Sequence, residues 1–111
     1  MTIEGFVRFE DGQDLVNIDG VVRLEDVSEI DARSHTLAQA ALAADSGRAP
    51  IAFRLVVEPE PAPRGNYIVS VEAWATRSST GERHPFGTVA AHPWRARADG
   101  APMIIDVRAW S

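Results

Sequence analysis

The sequence predicts an all-β fold, a single antiparallel β-sandwich of about seven strands covering residues 1–111. Three observations lead there. Apolar residues recur at every second position in several short runs, the period of a half-buried strand. Turn-forming residues separate those runs. The length, 111 residues, suits one domain and is enough to bury a core without disulfides or a metal.

The strands can be placed in order. Residues Ile3 to Phe9 (IEGFVRF) put Ile3, Gly5, Val7 and Phe9 on one face, and Asp11-Gly12 follows as a turn. In Val21 to Leu24, Val22 and Leu24 share a face opposite Arg23. Pro50 to Val57 aligns Ile51, Phe53, Leu55 and Val57, with Arg54 on the other side. Tyr67 to Ala75 turns Tyr67, Val69, Val71 and Ala73 inward and Ser70 and Glu72 outward. A short strand runs from Phe86 to Ala90. Met103 to Trp110 turns Met103, Ile105 and Val107 inward and Asp106 and Arg108 outward. Between them, EPEPAPRGN (Glu58 to Asn66) reads as an extended connection, because its prolines cannot donate to a ladder. SSTGERHP (Ser78 to Pro85) reads as a hairpin loop, and HPWRARADGAP (His92 to Pro102) as a loop turning at Asp99-Gly100.

Residues 31–45 fit neither period cleanly. Ser28-x-x-Asp31 resembles a capping box, and DARSHTLAQAALAAD has high helix propensity. Such a helix would carry only two large apolar side chains over Asp31 to Asp45 and bury little. As a strand, Thr36, Ala38, Ala40 and Leu42 share one face. Propensity favours the helix.

Composition removes several function classes. There is no cysteine, hence no disulfide framework, thiolate metal site or thiol nucleophile. The formal net charge is −5, and all eleven bases are arginines dispersed from Arg8 to Arg108. That is not the clustered footprint of a nucleic-acid binder. No apolar run is long enough for a membrane-spanning helix. The start, MTIEGFVRFE, has neither the basic region nor the apolar region of a signal peptide.

No motif specifies a reaction, and no enzyme, cofactor or metal site is expected. Glu25, Asp26, Glu29 and Asp31 lack the spacing of a calcium loop and read as a turn whose side chains bond local backbone N–H groups. His35, His84 and His92 form no zinc-ligand pair. The nucleophile elbow and the phosphate-cradling glycine loop are both missing. The residues that invite a partner are Trp74, Trp94 and Trp110. Trp74 and Trp110 fall opposite the inward stripes of their strands, and Trp94 sits in a loop. Exposed aromatics serve sandwich proteins that bind sugars, peptides or lipids; the alternative is packing at strand ends.

With the strands placed, a resemblance emerges. The order is Gly5 to Phe9 (GFVRF), VVRLEDVSEIDARSHTLAQAAL, Pro50 to Pro59 (PIAFRLVVEP), Asn66 to Trp74 (NYIVSVEAW) and His84 to Trp94 (HPFGTVAAHPW). Within it stand Asp26-Val27-Ser28 followed by Ile30-Asp31-Ala32, and the Pro-x-x-Phe of Pro50 to Phe53. Tyr67 follows a basic loop at Arg64, and a hairpin has Gly81 near its tip and Phe86 after it. This pattern, over about Gly5 to Pro93, resembles the YbaY/YscW-like family of type III secretion lipoprotein chaperones, which are pilotin-like. The resemblance implies a small β-sandwich without catalytic residues, acting as a binding or assembly module of the cell envelope. It implies a protein partner, such as an outer-membrane component. It also implies that the segment after Asp-Val-Ser is a strand, from about His35 to Ala43. Members of that family usually begin with an export signal and a lipid-carrying cysteine, neither of which this chain contains. The expected location is therefore the periplasm or outer membrane where a leader precedes this chain, and the cytoplasm otherwise.

Overall fold

The computed structural model describes residues 1–28, 35–58, 65–88, 92–94 and 102–110. They form strands β1 (Thr2–Phe9), β2 (Leu15–Asp26), β3 (His35–Ser46), β4 (Ile51–Val56), β5 (Tyr67–Arg77), β6 (Arg83–Gly87), β7 (His92–Trp94) and β8 (Met103–Ala109), with one 3₁₀ turn at Gly12–Asp14. The strand order is β3-β2-β5-β6-β8-β1-β4, with β7 added beside β5.

The fold is all-β, as expected, but the two-layer sandwich is not what forms. One eight-stranded sheet curls until its two end strands, β3 and β4, come close at the short connection between them. The result is a nearly closed barrel. Strand β8 makes this possible by serving two neighbours. Met103 to Val107 run parallel to β1, and Arg108 and Ala109 pair antiparallel with β6. The β1–β8 pair is also the exception to an all-antiparallel sheet. Period-2 patterning reports which face is buried and carries no information on strand direction.

The inward stripes fall where alternation puts them. Ile3, Val7, Phe9, Val22, Leu24, Phe53, Leu55, Val57, Val69, Val71, Ile105 and Val107 are all buried. Strand β2 extends further than Val21 to Leu24. Near its start Asn17 and Ile18 form a bulge, two residues set against Ala75 of β5. The β2–β5 register shifts between Val16 and Asp19, and Asn17 takes φ 51°, a conformation asparagine tolerates better than most residues. Gly20 is required by close approach: a Cβ there would stand 2.2 Å from the Glu72 carbonyl oxygen.

Strand β6 starts at Arg83, inside the expected hairpin loop, and ends at Gly87 rather than Ala90. Strand β7 occupies the first residues of what sequence suggested was a loop. Asp99-Gly100 and most of the proline-rich connection lie outside the described residues. Residues 35–46 are strand, so propensity loses and the family resemblance holds. Ladder pairing to β2, from Asp26↔His35 to Val16↔Ser46, satisfies the backbone, and Leu42 enters the core at 2 % exposure. Tertiary pairing of this kind overrides weak intrinsic preference.

Asp26-Val27-Ser28 closes the end of β2. The Ser28 N–H donates to Asp26 Oδ1 at 2.9 Å. The Asn66 N–H donates to Ser28 Oγ at 2.8 Å, and the Val27 N–H donates to the Asn66 carbonyl at 2.8 Å. The motif thus ties the β2 end to the start of β5. The Ser28 hydroxyl, then its backbone N–H, holds the Asp26 carboxyl below its ordinary value.

Two outcomes are expected. Phe86 is 1 % exposed and packs edge-to-face on Phe9 at 5.6 Å, so Phe86→Ala should cost roughly 3–5 kcal/mol in urea unfolding. Because the folded pKa of Asp26 is depressed, its contribution to stability is present above the ordinary carboxylate range and is lost as pH falls through the folded value. Ser28→Ala should therefore raise the Asp26 midpoint in an NMR carboxyl titration. Its destabilisation should shrink in acid as Asp26 protonates.

Candidate functional site

Two surfaces stand out, and the phase of β5 creates the first. With Tyr67, Val69, Val71, Ala73 and Ala75 buried, Trp74 has to point outward. It lies directly opposite Asp19 on β2 and Pro85 on β6. Pro85 in turn accepts a 3.0 Å hydrogen bond from the Trp110 N–H. Asp19, Trp74 and Pro85 therefore form one row across β2, β5 and β6 on the outer face, continued by Trp110 just past the end of β8. Trp74 is 49 % and Trp110 46 % exposed. The Trp110 indole lies over Gly87, where a Cβ would stand 2.1 Å from Cζ2.

Ion pairs flank this row. Arg83 Nη2 meets Asp19 Oδ2 at 2.6 Å, while Arg83 Nη1 donates to the Asn17 carbonyl at 2.8 Å and to Thr76 Oγ1 at 3.1 Å. Arg23 Nη1 meets Glu72 Oε2 at 3.1 Å. Exposed pairs of this kind contribute little stability, but each holds a planar donor and a planar acceptor in a defined place.

Trp94 is not part of the row. It is half-buried against the core and stands edge-to-face to Tyr67 with centroids 6.0 Å apart. The structure thus brings Trp74 and Trp110 together and sets Trp94 on the opposite, inner side. His84 Nε2 sits 3.3 Å from Glu82 at the hairpin, and His35 begins β3. The side chain of His92 lies outside the described residues. Arg77 stacks over Phe86 at 5.7 Å and pairs with Asp11 and Asp14 at 3.8 and 3.9 Å. Asp14 also binds the backbone and hydroxyl of Ser79, so this polar cluster ties the β5–β6 hairpin to the turn before β2.

The second surface is the free side of β3. Among the described residues this strand pairs with β2 alone. Its outward side chains at His35, Leu37, Gln39, Ala41 and Ala43 are exposed. Its inward Ala38, Ala40 and Ala44 are only partly buried and rest against the core.

Among the described residues the chain is thus a small, nearly closed β-barrel whose end strand β3 pairs on one side and whose outer face carries an aromatic row. The chain belongs to the family described as type III secretion system lipoprotein chaperone (YscW), whose match spans residues 2–85. Among solved structures, an alternative pilotin from the type II secretion system of Vibrio cholerae shares the fold with a TM-score of 0.74 at 18 % identity, over 100 % of this chain and 97 % of that one. Comparison with curated proteins gave no match.

Sequence reasoning found both tryptophans of the outer row but missed what joins them. Pro85 reads as a loop residue, and the β6–β8 pairing that sets it beside Trp110 is non-local. The one available signal was Pro85-Phe86-Gly87, a proline and a glycine on the face opposite a buried aromatic.

Gly87→Ala should push the Trp110 indole off the sheet and shift tryptophan emission to the red. The same change in a Trp110→Phe background should leave the emission unaltered.

Proposed function

We propose that this protein is a non-enzymatic assembly module of the cell envelope, acting in the periplasm or at the outer membrane. It docks an extended or amphipathic segment of a protein component of a secretion system. The observation that carries this reading is the edge of β3, unpaired among the described residues, in a chain of the lipoprotein chaperone family. An open edge offers backbone N–H and C=O groups to an incoming segment, and the partly buried alanines beneath it offer shallow sites for apolar side chains. Thr36 to Ala44 (TLAQAALAA) contains no charge and no proline, so nothing in it blocks pairing. The solved pilotin of matching fold agrees with a role in secretion-system assembly.

The test is calorimetric titration with peptides from secretin C-termini. Binding is expected. The double variant Leu37→Lys/Ala41→Lys places two cations on the edge while leaving buried residues untouched, and should weaken binding by at least about tenfold, or ~1.4 kcal/mol. Unchanged affinity in that variant places the segment elsewhere; no binding by any such peptide removes the reading.

A further inference from the structure

We propose that the outer face formed by Trp74, Pro85 and Trp110 is a binding site for an uncharged oligosaccharide, independent of the β3 edge. Its geometry is the first argument. Trp74 on β5 and Trp110, just past β8, flank Pro85 on β6, so their positions lie about two strand spacings apart, roughly 10 Å. That is about the length of a disaccharide. Pro85 fills the gap with an apolar ring. The platform follows the sheet surface, and Gly87 fixes one end by admitting the Trp110 indole, so little side-chain freedom is lost on binding.

The chemistry fits a pyranose. A sugar ring presents C–H groups on its faces and hydroxyls around its rim. An indole attracts the C–H faces through its negative π-surface. The rim hydroxyls need fixed donors and acceptors, which the flanking ion pairs supply. Asp19 stands beside Trp74 on β2 and is held by Arg83. Glu72, two residues from Trp74 on the same face, is held by Arg23. The Asp19 and Glu72 side chains are 67 % and 56 % exposed, so each pair can reach a ligand without giving up its partner. A guanidinium fork and a carboxylate fork are both shaped for paired hydrogen bonds.

The aromatic area of this face is small for a protein partner, whose contact would have to be made mostly by the charged side chains around it. A fully buried aromatic side chain covers about 150–250 Å², and these two are about half exposed. Together they offer on the order of 200 Å², against about 800 Å² on each partner of a stable protein interface. Charge decides against an acidic sugar. Each cation beside the row is matched by its own carboxylate, and the whole chain carries −5.

The experiment is intrinsic fluorescence and ¹H–¹⁵N NMR of the full chain, titrated with the neutral tetrasaccharides cellotetraose, chitotetraose and maltotetraose and with a tetramer of uronic acid. At least one neutral sugar should change the emission and shift the indole N–H signals of Trp74 and Trp110, leaving that of Trp94 unmoved. Trp74→Ala, at an exposed position, should keep the wild-type Tm and lose at least about tenfold in affinity; Trp94→Phe should bind normally. NMR mapping on the wild-type chain decides the matter if Trp74→Ala does not fold. The proposal is overturned if no neutral sugar shifts these signals, if only the uronic acid does, or if Trp74→Ala binds normally. A concentration-dependent dimer abolished by Trp74→Ala also overturns it, by giving the face to a second copy of the chain. Because the peptide titration reads the β3 edge, either result can fail without the other.

Discussion

The inward stripe of β5 is the constraint on which the rest of the structure depends. Every second residue from Tyr67 to Ala75 is buried, and the strand pairs with β2 on one side and with β6 and β7 on the other. A slip of one residue would exchange its two faces. It would bury Ser70, Glu72 and Trp74 and expose Tyr67, Val69, Val71, Ala73 and Ala75. The register that avoids this also fixes everything laid against it. It sets Gly20 opposite Ala73, where no larger residue fits, and it sets Trp94 against Tyr67 on the inside while Trp74 faces out.

Closure follows from the other end of the sheet. Strand β8 leaves β1 after Val107 and passes to β6 at Arg108, which bends the sheet into a curve instead of splitting it into two layers. The same turn carries Trp110 onto the outer face beside Pro85. The ion pairs along β1 sit on the outside of this curve: Arg8 with Asp106 at 2.8 Å and Arg108 with Glu10 at 3.0 Å. They are exposed and screened, so they guide register more than they stabilise it. The barrel stays open where β3 and β4 meet without a ladder among the described residues. The alanines of β3 explain the opening. Only Leu42 reaches deep into the core, and small side chains give little apolar area with which to draw the two end strands together.

Much of this was legible in the sequence because alternation is local. The buried faces of β1, β4, β5 and β8 follow from counting every second residue, and Trp74 and Trp110 follow as outward by elimination. What could not be read is long-range. Strand direction, the dual role of β8 and the pairing of Pro85 with Trp74 depend on neighbours far along the chain. One local signal misled. The alanine-rich segment favours a helix, yet β2 offers it a full ladder of backbone partners, worth more than a propensity difference of a few tenths of a kcal/mol per residue.

The two end strands differ in how they are guarded. Strand β4 follows Pro50 and carries Arg54, which faces Glu4 at 3.8 Å. Charge and proline near an edge discourage foreign strands. Strand β3 is twice as long, twelve residues against six, and its middle, Thr36 to Ala44, has neither device. A long, uncharged edge is a hazard for a protein that has no use for it, since it invites aggregation. Alanine lowers that hazard, because it pairs through the backbone while adding little sticky apolar surface. Among the described residues the edge is thus unpaired and only weakly adhesive, so the docking proposed above would be reversible rather than permanent.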